Sequence, residues 1–384
     1  MPSSTTEPQR NHLLESARPF LRGQLENVDD RLPSLVAVLK SVGAAECWHK
    51  HGSFLDHLID IYRILKLWGV PDAVCLCGLF HSAYSNSYVN LAIFDPSTGR
   101  DVVRGHVGEA AERLIHLFCI VPRQQLIHDN LLFHYSDESE LVQHLKDSEK
   151  SLSNARKGVF EVEDEEEWRR KIQSILPAEG IDVLFDNSDG MLKFSGNDWA
   201  TALWPGDGKP GLWMTSISRM GAIYTLIVRE EQLYTIKHPQ PQSANTRDEE
   251  IELVTPPIFE KCTKILTAKD QIEARDLYWE GVCEVSKRGL DGCAEVLKRS
   301  LVKNPFVGEP HVVLGQVYLS QGRFDEAEKE AEQGLRLLLE WGSPWDKRMS
   351  WEGWIAWCRV LVMKAKENSW PQTSWGILNL GLVR

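Results

Sequence analysis

Apolar residues recur with the period of an α-helix in the most regular part of the chain. From 53 to 67 they form one stripe, which comprises Phe54, Leu58, Ile61 and Leu65. Ser53 precedes the stripe and Asp56 follows Ser53 by three residues, which are the positions of a capping box. The pattern therefore predicts a helix over 53–67.

A second helix is predicted directly after the first. Gly69 and Pro71 end the first helix, and the run that follows is apolar on all sides, which indicates a buried helix over 72–81. Two helices joined by so short a turn pack antiparallel. Turn-forming residues over 84–100 predict a loop. Further helices are predicted over 101–118, 122–134 and 137–155.

The last third of the chain follows a repeat pattern. Residues 308–341 fit the roughly 34-residue tetratricopeptide period, with small or apolar residues at Leu314, Gly315, Tyr318, Gly322, Phe324, Ala327, Ala331 and Gly334. The same register extends back over 274–307, where Gly281 falls at the eighth position and Pro305 at the thirty-second. A helix over 345–366 is predicted as the packed cap of this array, and its tryptophans are Trp345, Trp351, Trp354 and Trp357.

The middle of the chain separates these two helical regions. An acidic run at 161–167 marks a seam, and the stretch 176–215, rich in Gly, Asp, Pro and Trp, is interpreted as a loop that closes over the front half. We therefore predict a mainly all-α chain with a helical front domain at 16–160, an extension or lid at 161–235, a linker at 236–258 and a helical repeat array at 259–384.

Composition and charge narrow the class of protein. Of 384 residues, 42% are apolar and 26% are charged, which is typical of a soluble globular protein. The formal net charge of −12 argues against nucleic acid as a partner. No segment has the apolar length of a membrane span or a secretory signal. The eight cysteines are dispersed, so we expect free thiols. With neither a span nor a signal, we expect no membrane association and a cytoplasmic location, with the nucleus as the alternative.

Histidines supply the candidate chemistry, since ten of the twelve precede residue 150. His57 borders the apolar stripe of the first predicted helix and His81 ends the second. Antiparallel pairing of the two helices would bring both imidazoles into one pocket. Neutral imidazole is a common metal ligand, and the alternative is that both rings are hydrogen-bonded core residues.

A His early in one helix, a spacing of 24 residues, and an apolar helix that ends in Leu-Phe-His-Ser form a recognisable pattern. The segment 30–160 thereby resembles the HD superfamily, in particular the hydrolase domain of the (p)ppGpp synthetase/hydrolase family. In that family the corresponding apolar helix ends in Leu-Leu-His-Asp. A basic pair and a Gly precede the start of a helix in that family, and Lys50, Gly52, Phe54 and His57 are similar to these residues. The string from Gly78 to Tyr84 is also similar to a plant and bacterial family that has no assigned reaction.

The resemblance implies an HD-like helical fold and a divalent metal. In the family pattern the ligands fall on His57, His81 and a late carboxylate, here Glu149, with His51 and His106 as further candidates. A ligand set rich in imidazole and poor in carboxylate favours Fe, Mn, Ni or Zn over Mg.

The departures from the family pattern lie beside the second histidine. Ser82 stands where the family has the Asp of its HD pair, and Ser85 and Asn86 stand where an acidic pair is expected. We expect these three residues to face the substrate. A basic rim would bind a phosphate or carboxylate group of that substrate, with scattered surface charge as the alternative; its members are Lys50, Arg63, Arg100 and Arg104.

Three functions are consistent with the sequence. The first is a metal-dependent hydrolase of the HD type that acts on a small metabolite, with or without a phosphate group. Its nucleophile would be a metal-bound water. The alternative is a non-catalytic adaptor, whose degenerate HD fold supports an array that binds a protein or peptide. The second alternative is an iron-dependent oxygenase on the same fold. Because two repeats make a short array, we expect it to lean on the front domain or to form a homo-oligomer.

Overall fold

The computed structural model describes residues 7–49, 52–84, 92–95, 99–120, 221, 256–260 and 266–380. Of these residues 74% are helical and almost none are in strands, which confirms the predicted all-α class. The chain divides into two compact units. The front unit contains the described residues from 31 to 221 and those at 256–260, and the array unit contains 7–30 and 266–380. Among the described helices, none is long and apolar enough to cross a membrane.

The described part of the front unit consists of helices and one small β-hairpin. In chain order, after α1 (Glu7–Leu21) of the array unit, its elements are α2 (Leu32–Ser41), β1 (Trp48–His49), β2 (Gly52–Ser53), α3 (Phe54–Leu67), α4 (Asp72–Phe80), α5 (Arg100–Val107), α6 (Glu109–Ile120) and α7 (Pro257–Glu260). The two strands pair antiparallel, with Trp48 opposite Ser53, and lead the chain into α3.

The hairpin of α3 and α4 forms from local signals. Ser53 Oγ accepts a hydrogen bond from the Asp56 N–H at 3.1 Å, and the Asp56 carboxylate accepts one from the Ser53 N–H at 3.2 Å. This completes the predicted capping box. Gly69, with φ of +69°, stops α3 in the left-handed conformation that glycine adopts without strain. α4 then packs against α3, so the predicted pair of adjacent helices is present.

The predicted helix over 101–118 is two helices. Gly108 separates α5 from α6 and has φ of +86° and ψ of 167°, which no helix contains. Its N–H still donates to Arg104 O at 2.9 Å and so ends α5, while its carbonyl accepts from the Glu112 N–H at 3.0 Å and begins α6. The apolar period runs through the break, which is why the sequence pattern did not reveal it.

The array unit contains two helical hairpins, a further long helix and a short terminal one. Its remaining elements are α8 (Ala268–Cys283), α9 (Val285–Lys303, kinked at Gly289), α10 (Glu309–Ser320), α11 (Phe324–Trp341), α12 (Trp351–Lys366) and α13 (Ser374–Leu378). The hairpins α8–α9 and α10–α11 lie where the two repeats were predicted. Gly322, with φ of +73°, forms the turn of the second hairpin.

The N-terminal helix belongs to the array unit. α1 packs against α11, and its Ala17 and Phe20 side chains are buried. The sequence placed residues 16–30 in the front domain, because nothing in a short amphipathic helix identifies the surface on which it packs. The compact front unit instead begins at residue 31.

The predicted helix over 345–366 begins only at Trp351. The segment before it remains non-helical because its backbone N–H groups bind elsewhere: those of Trp345 and Asp346 both donate to Glu309 Oε1. Ser350 Oγ then caps α12 by accepting from the Gly353 N–H at 3.1 Å. The indole rings are packed as a cap would require, since Trp345, Trp351 and Trp354 are all buried.

Glu309 gives the array unit a predicted pH dependence. Burial, with the nearby Asp346 carboxylate, raises the pKa of Glu309 from 4.5 to about 7 in spite of its bonds to backbone N–H groups. The folded state therefore binds the additional proton between these values, so this stabilising contribution is complete below about pH 4.5 and is lost as the pH rises through about 7.

We expect Glu309→Gln to raise the free energy of unfolding by on the order of 1–2 kcal/mol at pH 8 and to change it little at pH 5. Glutamine keeps the acceptor oxygen and removes the buried charge. Urea denaturation of both proteins at the two pH values measures the difference. A variant that is less stable than the parent chain at pH 8 contradicts the assignment.

Candidate functional site

The turn between α3 and α4 brings two predicted site residues together. His57 lies in the first turn of α3 and His81 directly follows α4. Both side chains are buried, with 8% and 4% of their surface exposed. Their rings meet edge to face, with centroids 5.2 Å apart and planes inclined by 75°.

A hydrogen bond to the backbone fixes the orientation of the second ring. His81 Nδ1 lies 2.8 Å from Gly78 O, and since a carbonyl only accepts, Nδ1 carries the proton in this bond. In the neutral ring the lone pair is then on Nε2. Histidines that bind metals commonly use the same arrangement, because the bond sets both the tautomer and the ring plane.

Aromatic rings and a thiol surround the two histidines. Phe54 stacks on His57 with a centroid distance of 6.0 Å, and Phe118 of α6 contacts His81 at 5.4 Å. Cys119 Sγ donates to the His81 carbonyl oxygen at 3.3 Å. These walls limit the access of water to the two rings.

The spacing of the rings is compatible with one shared ion. With a metal–nitrogen distance of about 2.0–2.1 Å, a ring centroid lies about 3.2 Å from the ion, and two rings at a tetrahedral angle have centroids roughly 5 Å apart. The observed 5.2 Å is near this distance, which an ordinary edge-to-face contact between two rings also gives. Within the described part of the chain, however, no set of three or more His, Cys, Asp or Glu side chains converges as a metal site.

Glu112 of α6 is a site residue that the sequence did not indicate. Its side chain is completely buried and accepts hydrogen bonds from Arg100 Nε at 2.7 Å, Arg100 Nη2 at 2.8 Å and Tyr84 Oη at 3.0 Å. Arg104 Nη2 lies 3.5 Å away. The only available signal was a carboxylate on the helix face that also carries Ile115 and Phe118.

The charges of this cluster are mutually dependent. Burial raises the pKa of Glu112, but the hydrogen bonds from Arg100 and Tyr84 and the positive charges of the two arginines outweigh it, so the pKa is lowered. Burial and the hydrogen bond to Glu112 raise the pKa of Tyr84. Tyr84 therefore stays protonated and acts as a donor to the carboxylate at neutral pH.

Comparison with known proteins identifies one family segment. Residues 38–123 match a family described as a domain of unknown function, DUF6817. No curated protein and no solved structure matches the chain. This matched segment, called the DUF6817 segment below, contains both the histidine pair and the Glu112 cluster.

Within the DUF6817 segment, the predicted ligands and rim residues have different surroundings. His106 is exposed on α5 and does not form a three-residue cluster with the histidine pair. Ser82 is buried beside His81. Arg63 is buried and pairs with Asp60 at 2.6 Å. Five of the predicted site residues lie outside the described part of the chain. They are Lys50, His51, Ser85, Asn86 and, beyond the segment, Glu149.

The two remaining arginines of the predicted basic rim, Arg100 and Arg104, are both paired with carboxylates. Arg100 binds Glu112 through two nitrogens, and Arg104 also pairs with Asp101 and Glu109, each at 2.6 Å. The reason is the break at Gly108, which returns the chain so that α6 packs on α5 and places carboxylates beside both arginines. Arg100 nevertheless keeps 37% of its side-chain surface exposed.

Proposed function

We propose that the front unit is a metal-dependent domain of the HD type that hydrolyses a small, phosphorylated metabolite, with His57 and His81 as metal ligands. The observation that carries the proposal is the buried edge-to-face pair of imidazoles, one of which has its Nδ1 proton committed to Gly78 O. Two buried imidazoles held in this way would supply two of the ligands for Fe, Mn, Ni or Zn.

The chain's own residues prepare this site in three ways. The Gly78 carbonyl holds His81 in the tautomer with Nε2 as acceptor. Phe54 and Phe118 cover the rings and exclude bulk water. Ser82 supplies a hydroxyl next to the second ligand in place of the acidic residue of the HD pair. When bound, a divalent ion of this class supplies a water of lowered pKa for hydrolysis.

Metal analysis of the full chain tests the proposal. Purified protein is incubated separately with Mn, Fe(II), Ni and Zn, desalted and analysed by mass spectrometry. We expect near-stoichiometric retention of one of these ions and a rise of the melting temperature when that ion is added. The double variant His57→Ala/His81→Ala should retain less than about one tenth as much.

The matched control is His106→Ala, which removes an exposed histidine from the same unit and should leave retention unchanged. His57→Gln/His81→Gln repeats the test with side chains of similar size, in case the alanine variant does not fold. A parent chain that retains none of the four metals, with an unchanged melting temperature, overturns the proposal.

Two other functions predict different results when metal retention is combined with assays of activity and peptide binding. An iron-dependent oxygenase would use the same histidines, so Fe(II) retention with oxygen consumption and no phosphate release would support it. In the adaptor function, the helical hairpins α8–α9 and α10–α11 bind a protein or peptide and the front unit only supports them. A chain that binds no metal but keeps a peptide partner through the array unit would support the adaptor.

A further inference from the structure

The acidic partners of the two arginines in the Glu112 cluster differ in how strongly solvent screens them. One buried carboxylate faces two arginines, Arg100 and Arg104. The other acidic partners of Arg104 are Asp101 and Glu109, whose side chains are 88% and 63% exposed. Solvent and salt screen such exposed carboxylates much more strongly than the buried one.

Arg100 is both fixed and accessible. Its Nε and Nη2 bind the two oxygens of Glu112, a bidentate arrangement that sets the plane of the guanidinium. Among the described residues, no acceptor contacts the remaining nitrogen, Nη1, and over a third of the side chain is exposed. The group therefore has a fixed plane, and its outer edge carries donors that contact no acceptor among the described residues.

α6 connects this arginine to the histidine pair. Near the end of the helix Phe118 and Cys119 contact His81. Glu112, near its start, and His116, between them, contact Tyr84. From 112 to 119 the helix rises about 10 Å, which is comparable to the length of a small metabolite. Burial, followed by the charge of Arg100, lowers the pKa of His116 against the opposing charge of Glu112.

We propose that Arg100 binds an oxyanion of the substrate, specifically a phosphate group, and that Glu112 and Tyr84 are positioning residues that hold its guanidinium. The identity of the anion as part of a substrate rests on the proposed hydrolase function. The binding of phosphate itself does not, because it requires no metal.

Calorimetric titration with inorganic phosphate and, separately, with acetate tests the proposal on full-length protein that has been treated with a chelator. We expect phosphate to bind more tightly than acetate. Arg100→Gln/Glu112→Gln removes both charges and leaves no buried ion unpaired, and it should weaken phosphate binding at least about tenfold. The control Arg113→Gln removes an exposed arginine from the same helix and should stay within about twofold of the parent chain.

Glu112→Gln distinguishes positioning from simple charge. If Glu112 positions Arg100, the loss of its charge should weaken phosphate binding about three- to tenfold. If the pair is only structural, removal of a negative charge makes the local potential more positive and strengthens binding. Stronger binding to Glu112→Gln, equal binding of acetate and phosphate, or unchanged binding to the double variant would each overturn the proposal. Since the protein is metal-free, these outcomes are independent of the test of His57 and His81.

Discussion

Replacing Asp346 with alanine is expected to lower the free energy of unfolding of the array unit by about 3–5 kcal/mol. The Asp346 side chain is 1% exposed and accepts hydrogen bonds from Tyr278 Oη at 2.7 Å and from Arg348 Nε at 2.9 Å. Alanine would leave the buried phenol without its acceptor and a guanidinium without its counter-ion. An unpaired buried polar or charged group costs more than the intact pair contributes.

Urea denaturation followed by far-UV circular dichroism measures the loss. The control is Asp325→Ala, which removes an exposed aspartate from the first turn of α11 and should cost less than about 1 kcal/mol through its interaction with the helix dipole. A loss of less than about 1 kcal/mol in Asp346→Ala would show that Tyr278 and Arg348 find other partners.

The sequence predicted those parts of the fold that depend on neighbours in the chain. The α3 start follows from Ser53 and Asp56, three residues apart, and the α3–α4 hairpin follows from the glycine and proline between two apolar segments. The proximity of His57 and His81 could be predicted for the same reason. A tight turn between two apolar helices makes them pack antiparallel.

The parts that the sequence did not predict depend on distant partners or on a single backbone angle. Asp346 meets Tyr278 across a separation of 68 residues, and the only local sign of the later start of α12 is the capping residue Ser350. The Glu112 cluster depends on Gly108, whose positive φ is not visible in an apolar period that continues through it. A glycine within a helical pattern is tolerated often enough that it does not by itself predict a break.

The repeat register is a different case, because it predicts which glycines are required without showing what they touch. Gly315 and Gly334 were both assigned to small positions. A Cβ on Gly315 would lie 3.2 Å from Ala327 O, so even alanine is tight between α10 and α11. At Gly334 the restriction is stronger, since a Cβ there would lie 3.0 Å from Gly308 O and 3.1 Å from Val312 N. Backbone atoms of a packed hairpin cannot move aside as a flexible side chain does.

Gly334→Val is therefore expected to lower the free energy of unfolding by about 3 kcal/mol or more, because the added side chain forces α10 away from α11. The matched control is Gly105→Val, at an exposed helical glycine where a Cβ would meet nothing within 4 Å. It should change stability by less than about 0.5 kcal/mol, since valine and glycine differ little in helix propensity. Thermal and urea denaturation of both variants provide the comparison. Equal stability of the two variants would mean that the hairpin α10–α11 is not packed as closely as Gly334 and Gly308 indicate.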